Sequence, residues 1–286
     1  MIFLMDWKGR RESKNVEDRR GMSGPAVVGG GLGGIGIIIV IIYTLLGGNP
    51  QDILNTDTQA PQSQSTGYKS TAEEDELAYF VKVVLADTED VWTDVFAKEG
   101  KTYKDPTLVL FTNSVQTKCG NMSTAVGPFY CPGDQKLYID LSFYQELKNQ
   151  FKAPGDFAMA YVVAHEVGHH VQYLLGTSSK VSALEQRASK AEANRLSVKL
   201  ELQADYYAGV WAHYVQGEGY LDKGDFKEAL TAANAIGDDT LEKKAQGYAV
   251  PETFTHGTSA QRMKWLERGY KYGTIEDGDT FNAKDL

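Results

Sequence analysis

The chain has 286 residues, which is enough for one domain of about 200 residues with appended segments, because single cores rarely exceed about 250 residues. Its composition, with 42% hydrophobic and 23% charged residues, is that of a folded protein and excludes a wholly disordered one. The formal charge of −9 and the isoelectric point near 5.1 argue against nucleic acid as a partner, because that binding requires basic side chains to neutralise phosphates.

The first feature along the chain is an uncharged run of residues 26–48, which is long enough to cross the hydrocarbon core of a membrane. A buried core helix is the first alternative, but six glycines between Gly29 and Gly36 weaken a helix in water and are common in membrane spans. A cleaved signal peptide is the second, but no A-x-A-like cleavage site follows the run. The sequence therefore predicts one uncleaved transmembrane helix.

Basic residues are concentrated before this run. Residues 1–25 contain six Lys or Arg side chains, whereas the next thirty residues after the run contain only Lys69. Because cytoplasmic segments are enriched in Lys and Arg, this bias predicts a cytoplasmic tail at residues 1–25 and a C-terminal part outside the cytoplasmic membrane, in a single-pass protein. Residues 49–70 are rich in Gln, Ser, Thr and Asn and predict a polar linker, so the folded domain is expected at residues 71–286.

The outer domain shows helical and strand-like patterns in alternation. Thr71 is followed by three acidic residues and a helical apolar spacing, which predicts a helix start. Short runs rich in β-branched and aromatic residues predict strands at residues 107–111, 125–130 and 136–140. Further helices are expected at residues 156–175, 181–216, 225–235 and 259–270. This pattern predicts an α+β domain that is predominantly helical, with a small β-sheet.

The chain has two cysteines, Cys119 and Cys131, which flank predicted strands. In a domain exported through the membrane, thiols meet oxidants, which favours a disulfide between them. Two buried free thiols are the alternative. A metal site built from this pair is not favoured, because no CxxC spacing accompanies it.

The motif that carries chemistry lies in residues 161–172, where His165, Glu166 and His169 match H-E-x-x-H. On a helix, side chains four residues apart share one face, so the two imidazoles can bind the same ion. Glu166 lies one residue further round and can reach a water molecule at that ion. This is the arrangement in which zinc lowers the pKa of water and a carboxylate accepts its proton.

A catalytic zinc needs a third protein ligand. Glu201 and Asp205 are also four residues apart, at the edge of a predicted core-facing helix stripe. We expect Glu201 to bind the ion and Asp205 to accept the N–H of a ligand histidine, which fixes the tautomer of that ring. An exposed acidic pair on an amphipathic helix is the alternative, and the nearby H-E-x-x-H disfavours it.

These motifs resemble a known family. HEVGHH followed by ELQADYYAGVWAH is similar to the neutral zinc metallopeptidase family of bacterial membrane proteins, and more broadly to the gluzincins, whose third ligand is the Glu of E-x-x-x-D. The resemblance covers nearly the whole chain, including WKGRRESKNVEDRRG, CGNMSTAVGPFYCPGDQKLYIDLSFY and FTHGTSAQR. It implies a zincin-like fold with a small sheet above the active-site helix, and it carries the ligand roles for one zinc ion onto His165, His169 and Glu201.

Other residues have assignments that rest on less. Gluzincins use a His or Tyr donor to stabilise the oxyanion, and the resemblance gives this role to His256, with a structural loop histidine as the alternative. Arg262 is expected to pair internally rather than hold a substrate carboxylate. His170 and His213 are expected to be packing or surface residues. Residues 125–130 are a candidate edge strand along which an extended peptide pairs.

Together these features predict a zinc metallopeptidase that hydrolyses peptide or protein substrates outside the cytoplasmic membrane, with Glu166 as general base. A rival hypothesis is an envelope binding or scaffold protein whose zinc is structural. A zinc hydrolase of a non-peptide bond is a third.

Overall fold

The computed structural model describes residues 5–22 and 68–286, and helices account for most of them. The helices are α1 (Ala72–Lys98), α2 (Phe143–Asn149), α3 (Asp156–Leu174), α4 (Thr177–Glu185), α5 (Lys190–Gly217), α6 (Asp225–Ala235), α7 (Asp238–Gln246) and α8 (Ser259–Tyr272). The strands are β1 (Val16–Asp18), β2 (Thr107–Phe111), β3 (Ser114–Thr117), β4 (Gly120–Ser123), β5 (Phe129–Cys131) and β6 (Lys136–Asp140). This is the predicted α+β class, mainly helical with a small sheet.

Four strands form the main sheet in the order β1-β2-β6-β5. Strands β1, β2 and β6 are parallel, and β5 runs antiparallel to β6 at one edge. The register places Leu108 opposite Leu137 and Phe129 opposite Tyr138. Strands β2 and β6 have the predicted bounds, and both are buried along most of their length, as expected for parallel strands covered on both faces.

The strand predicted over residues 125–130 is wrong for its first half. Thr124–Val126 form a 3-10 turn, and Gly127 follows with φ of 73°, in the left-handed region that favours glycine. Only Phe129–Cys131 pairs with β6. The hairpin of β3 and β4 was not predicted, because its short strands are mostly exposed and polar.

The disulfide predicted between Cys119 and Cys131 is present, and the two Cα atoms are 5.9 Å apart. Cys131 ends β5, and Cys119 lies in the turn between β3 and β4. The bond therefore ties the hairpin to the edge strand of the main sheet.

Helix α3 lies at the centre of the helical layer and packs against α1, α5 and α6. It is apolar nearly all round, and all but three of its residues are buried. The single helix predicted over residues 181–216 is instead α4 and α5. The helix is interrupted because Ser189 caps the start of α5, in a capping box with Glu192. Helix α1 begins as predicted, since Thr71 and Glu74 form a second capping box.

Residues 5–22 belong to the same domain, although sequence analysis assigned residues 1–25 to a separate tail. Their β1 pairs with β2, and Met5 and Trp7 are buried in the core. The sequence pattern missed this because their partners lie about 70 to 90 residues further along the chain. The predicted membrane span, residues 26–48, and residues 49–67 of the predicted linker lie outside the described residues. Within residues 5–22 and 68–286, no helix combines the length and apolar character that crossing a membrane requires.

Candidate metal centre

Two histidines of α3 share one face of the helix. His165 and His169 are one turn apart, and their ring centroids are 4.9 Å from each other. The helix around them is apolar, so both rings are largely removed from water. Buried imidazoles require polar partners, because an unpaired buried polar group is costly.

Helix α5 brings the carboxylates to this face. The two helices approach closely at Gly168, where a Cβ atom would lie 2.9 Å from the backbone oxygen of Ala204. This contact explains why glycine stands in the middle of α3, where it costs about 1 kcal/mol of helix propensity against alanine. The approach places Glu201 and Asp205, on either side of Ala204, next to the two histidines.

His165, His169 and Glu201 together form a set of metal-ligating atoms. One ligand atom from each lies within 4.8 Å of the others. Nε2 of His165 is 3.2 Å from Oε2 of Glu201, and Nε2 of His169 is 3.4 Å from Oε1. Two imidazoles and one carboxylate are a known ligand set of catalytic zinc, in which a fourth position is left for water or substrate.

The second nitrogen of each histidine is also bound. Nδ1 of His165 donates to Oδ1 of Asp205 at 2.8 Å, since a carboxylate can only accept. Nδ1 of His169 lies 2.9 Å from Oε1 of Gln172, whose amide nitrogen donates to the carbonyl of Leu200. Both rings therefore present Nε2 to Glu201, which is the tautomer that a metal requires. Gln172 was not predicted, although its spacing of three residues from His169 on one helix was a usable signal.

Asp205 is held by a buried network. It accepts hydrogen bonds from the Tyr161 hydroxyl at 2.6 Å and from Nε and Nη2 of Arg262 at 2.8 and 2.9 Å. Burial opposes ionisation, but Arg262 and His165 lower the pKa of Asp205 to about 2. The carboxylate thus stays charged and fixed against His165. Arg262 is 3% exposed and pairs internally, as expected.

The charges at the site favour a cation. Burial disfavours the imidazolium, but Asp205 and Glu201 raise the pKa of His165 to about 10. Burial also opposes ionisation of Glu201, yet His169 and His256 hold its pKa well below the usual range. A metal ion can take the place of these protons, because the same carboxylates stabilise either positive charge.

Glu166 lies beside the two histidines on α3 and is 7% exposed. Its carboxylate accepts a backbone N–H hydrogen bond from Tyr130 of the edge strand β5. Burial raises the pKa of Glu166 above its ordinary value, while His169 and His165 act in the opposite direction. A buried carboxylate of this kind is suited to accept and return a proton.

His256 is in the loop before α8, and its Nδ1 lies 3.2 Å from Oδ1 of Asp238. Asp238 also accepts the backbone N–H groups of Thr255, His256 and Gly257, which fixes this loop on the start of α7. Burial disfavours the charged ring, but Glu201 and Asp238 raise the pKa of His256. His256 therefore interacts electrostatically with Glu201. Its hydrogen-bond partner Asp238 is a further residue of the site, which the sequence did not single out.

The other two histidines lie outside this group of ligating atoms. His170 is fully buried, where its ring bonds the Tyr130 hydroxyl at 3.0 Å and the Lys104 carbonyl at 2.7 Å. Burial lowers the pKa of His170 to about 4, so the ring is neutral. His213 is exposed and bonds the carbonyl of Tyr270.

A second group of acids, without histidine, lies where α3 and α6 begin. It contains Asp156, Asp225 and Glu228. Burial and mutual repulsion raise the pKa of Asp156 to about 6 and that of Glu228 to about 7. Glu228 and Asp156 also accept the N–H of Phe157, so the group satisfies a helix start.

Comparison with known proteins gives one family and several close relatives. Residues 5–281 match the family model described as "Putative neutral zinc metallopeptidase". The chain is 50% identical over 283 residues to "Uncharacterized protein YpfJ" of Escherichia coli (strain K12), covering 97% of this chain and 99% of that protein. It is 46% identical over 195 residues to "Uncharacterized protein Rv2575" of Mycobacterium tuberculosis (strain ATCC 25618 / H37Rv), covering 64% of this chain and 65% of that protein. No solved structure shows a significant match.

Proposed function

The chain belongs to the family described as "Putative neutral zinc metallopeptidase", and from that premise we propose that it hydrolyses peptide bonds with one bound zinc ion. The observation that carries the proposal is the convergence of His165, His169 and Glu201 beside the buried carboxylate of Glu166. We propose further that the domain is zincin-like, with the edge strand β5 lying over the helix that carries the motif.

His165, His169 and Glu201 would hold the zinc ion, and their hydrogen-bonded second atoms fit that role. When bound, zinc supplies a Lewis acid that polarises a carbonyl group and lowers the pKa of water toward 7. Asp205 and Gln172 keep the two imidazoles in the ligating tautomer. Arg262 keeps Asp205 charged, so that the orientation of His165 is maintained over a wide range of pH.

Glu166 is the proposed general base. It accepts a proton from the attacking water and returns it to the nitrogen of the leaving amine. Its burial supports this role, because a raised pKa brings the carboxylate closer to the pH at which proton transfer in both directions is efficient.

His256 is the proposed donor to the oxygen that gains negative charge during attack on the peptide carbonyl. Asp238 orients the ring through Nδ1, which leaves Nε2 as the donating atom. The raised pKa of His256 supports this role, since the charged ring is the stronger donor.

An extended peptide is the proposed substrate, lying along β5. Within the described sheet, β5 is the edge strand and pairs on one side with β6. Backbone pairing with such an edge holds a peptide regardless of its side chains. Tyr130 links this strand to Glu166 and, through His170, to α3.

The disulfide supports a location outside the cytoplasm, where such bonds persist. We propose that the domain acts on the outer side of the cytoplasmic membrane and that residues 26–48 provide membrane attachment.

The test compares the full chain with Glu166→Gln, loaded with zinc and incubated with a mixture of denatured proteins. Wild type should cleave, and the variant should bind zinc equally but lose cleavage by a factor of at least about 10². Unchanged cleavage by the variant would refute Glu166 as the base. No cleavage by zinc-loaded wild type, with zinc bound in full, would favour a structural zinc site instead.

A further inference from the structure

Residues 5–22 complete the main sheet of the domain. Strand β1 pairs in parallel register with β2, so that Val16 lies opposite Leu108 and Asp18 opposite Leu110. The pairing continues past the strand, because the backbone N–H of Arg19 donates to the carbonyl of Leu110 at 2.8 Å. Residues 16–19 are therefore attached to the domain by backbone hydrogen bonds of the sheet.

The beginning of this segment fills part of the core. Trp7 is 1% exposed, and its ring lies edge-on against Phe80, with 5.4 Å between centroids. Met5 is 3% exposed, and its backbone N–H donates to Asp156 at the start of α3. Removing a buried tryptophan leaves a large cavity, so the core of the domain is incomplete without residues 5–22.

Basic residues of the segment neutralise carboxylates of α1. Arg10 pairs with Asp87, and Arg11 pairs with Glu89 at 2.9 Å. Asp87 and Glu89 are only 9% and 6% exposed, and buried carboxylates require such partners. Ser13 also bonds Glu89, so the contact involves the chain on both sides of Arg11.

Two further basic residues pair with the first turns of the same helix. Lys8 is 2.9 Å from Glu76, and Arg20 is 3.2 Å from Asp75. Four of the six basic side chains that predicted a cytoplasmic tail thus contact α1. These ion pairs with α1 explain why basic residues are abundant before the apolar run. The charge bias therefore no longer indicates the orientation of the chain in the membrane.

The two described segments also meet where the chain leaves them. A Cβ atom on Gly21 would lie 2.4 Å from Cβ of Tyr68, so these residues are in direct contact. The Tyr68 hydroxyl in turn donates to Glu74 of α1 at 3.1 Å. The last residues before the apolar run and the first residues after the polar stretch therefore occupy neighbouring positions on one folded unit.

We propose that residues 5–22 and residues 68–286 lie together on the outer side of the cytoplasmic membrane. This replaces the predicted cytoplasmic position of the N-terminus and also the predicted single crossing by residues 26–48, because one crossing would leave the two segments on opposite sides. A sheet shared by two segments cannot form across a bilayer, because its backbone groups and paired charges would have to be separated by hydrocarbon. The disulfide between Cys119 and Cys131 supports the oxidising, outer side for the shared unit.

The first test measures the accessibility of single introduced thiols in the full chain. The chain has two cysteines, and both are in the disulfide, so an added cysteine is the only free thiol. Met22→Cys reports on the N-terminal segment and Tyr248→Cys on the main part, since these side chains are 64% and 62% exposed. Intact spheroplasts of Escherichia coli that express each variant are treated with a membrane-impermeant maleimide, and the unsubstituted chain gives the background.

Equal labelling of both variants without lysis is the expected result. Labelling of Tyr248→Cys alone, with Met22→Cys labelled only after lysis, would overturn the shared side. Labelling of neither variant before lysis would overturn the outer location. The experiment does not depend on peptidase activity, so its outcome is separate from that of the Glu166 test.

The second test asks whether β1 is in place in the membrane-bound chain. The side chains of Asn15 and Asp105 are 3.3 Å apart at their polar atoms. Asn15→Cys combined with Asp105→Cys should give a cross-linked peptide with a short bis-maleimide, detected by mass spectrometry, and each single variant should give none. Absence of the cross-linked peptide, with both thiols labelled by maleimide in the same preparation, would overturn the packing on which the proposal rests.

Discussion

Gly168→Ala tests whether the contact between α3 and α5 sets the geometry of the metal centre. The added Cβ would lie 2.9 Å from the backbone oxygen of Ala204 and 3.1 Å from its Cα, where ordinary contacts begin near 3.4 Å. The helices must separate by about 0.5 Å, because these atoms are backbone and cannot rotate away. Such overpacking costs about 1–3 kcal/mol, against a gain of about 1 kcal/mol in helix propensity.

The net loss of about 0–2 kcal/mol should lower the melting temperature by up to about 8 °C in a domain of this size. The same displacement changes the distance between Nε2 of His169 and Oε1 of Glu201, which is 3.4 Å. Metal-to-ligand distances vary by only about 0.2 Å among functional sites. Zinc affinity should therefore fall by a factor of about 10 or more.

Gly217→Ala is the matched control, because nothing lies within 4 Å of the position and it ends α5. That variant should melt at the same temperature as wild type or slightly above it, with unchanged zinc affinity. The assays are thermal unfolding of the metal-free chain and competition with a zinc chelator. Wild-type stability and zinc affinity in Gly168→Ala would refute the reasoning.

Three further substitutions probe the surroundings of the site. Arg262→Lys keeps the charge but loses the two-point contact with Asp205, so zinc affinity should fall by about tenfold in chelator competition; an unchanged affinity would contradict the positioning role. Asp238→Asn removes the partner of His256, so kcat should fall by about tenfold with little change in KM, and an unchanged kcat would argue against His256 as donor. Burial, with neighbouring acids, raises the pKa of Glu228 in the folded chain to about 7, from an ordinary value of 4.5. The protonated form therefore adds to the free energy of unfolding below about pH 4.5, and this contribution is lost as the pH rises to about 7. Glu228→Gln cannot lose a proton, so urea unfolding at pH 8 should show it to be more stable than wild type by about 1 kcal/mol, whereas a less stable variant would contradict this assignment.

The residues that could be found from the sequence are those whose relation is local. His165, Glu166 and His169 follow from helical spacing alone, and so does the pairing of Glu201 with Asp205 on another helix. That these two helices meet could not be calculated from the spacing, although Gly168 marked one side of the contact. Gln172, three residues after His169, follows the same local rule and was overlooked.

The parts that were missed depend on contacts between distant segments. Trp7 and Arg10 contact residues about 70 positions later, and nothing in their local pattern indicates a buried core residue or a partner for Asp87. The charge bias of residues 1–25 has two physical explanations, membrane orientation and ion pairing with α1. The sequence could not separate them, because both produce the same excess of Lys and Arg.

A single zinc ion held by residues of both α3 and α5 is the central feature of the proposed function. The direct measurement is the zinc content of the purified full chain after zinc loading and dialysis, for wild type, His169→Ala and Glu201→Ala, with thermal unfolding as the check that each variant is folded. We predict about one zinc per wild-type chain and a large loss in both variants, since removing a ligand leaves an incomplete coordination shell. Folded Glu201→Ala that retained zinc at the wild-type level and affinity would contradict the shared site.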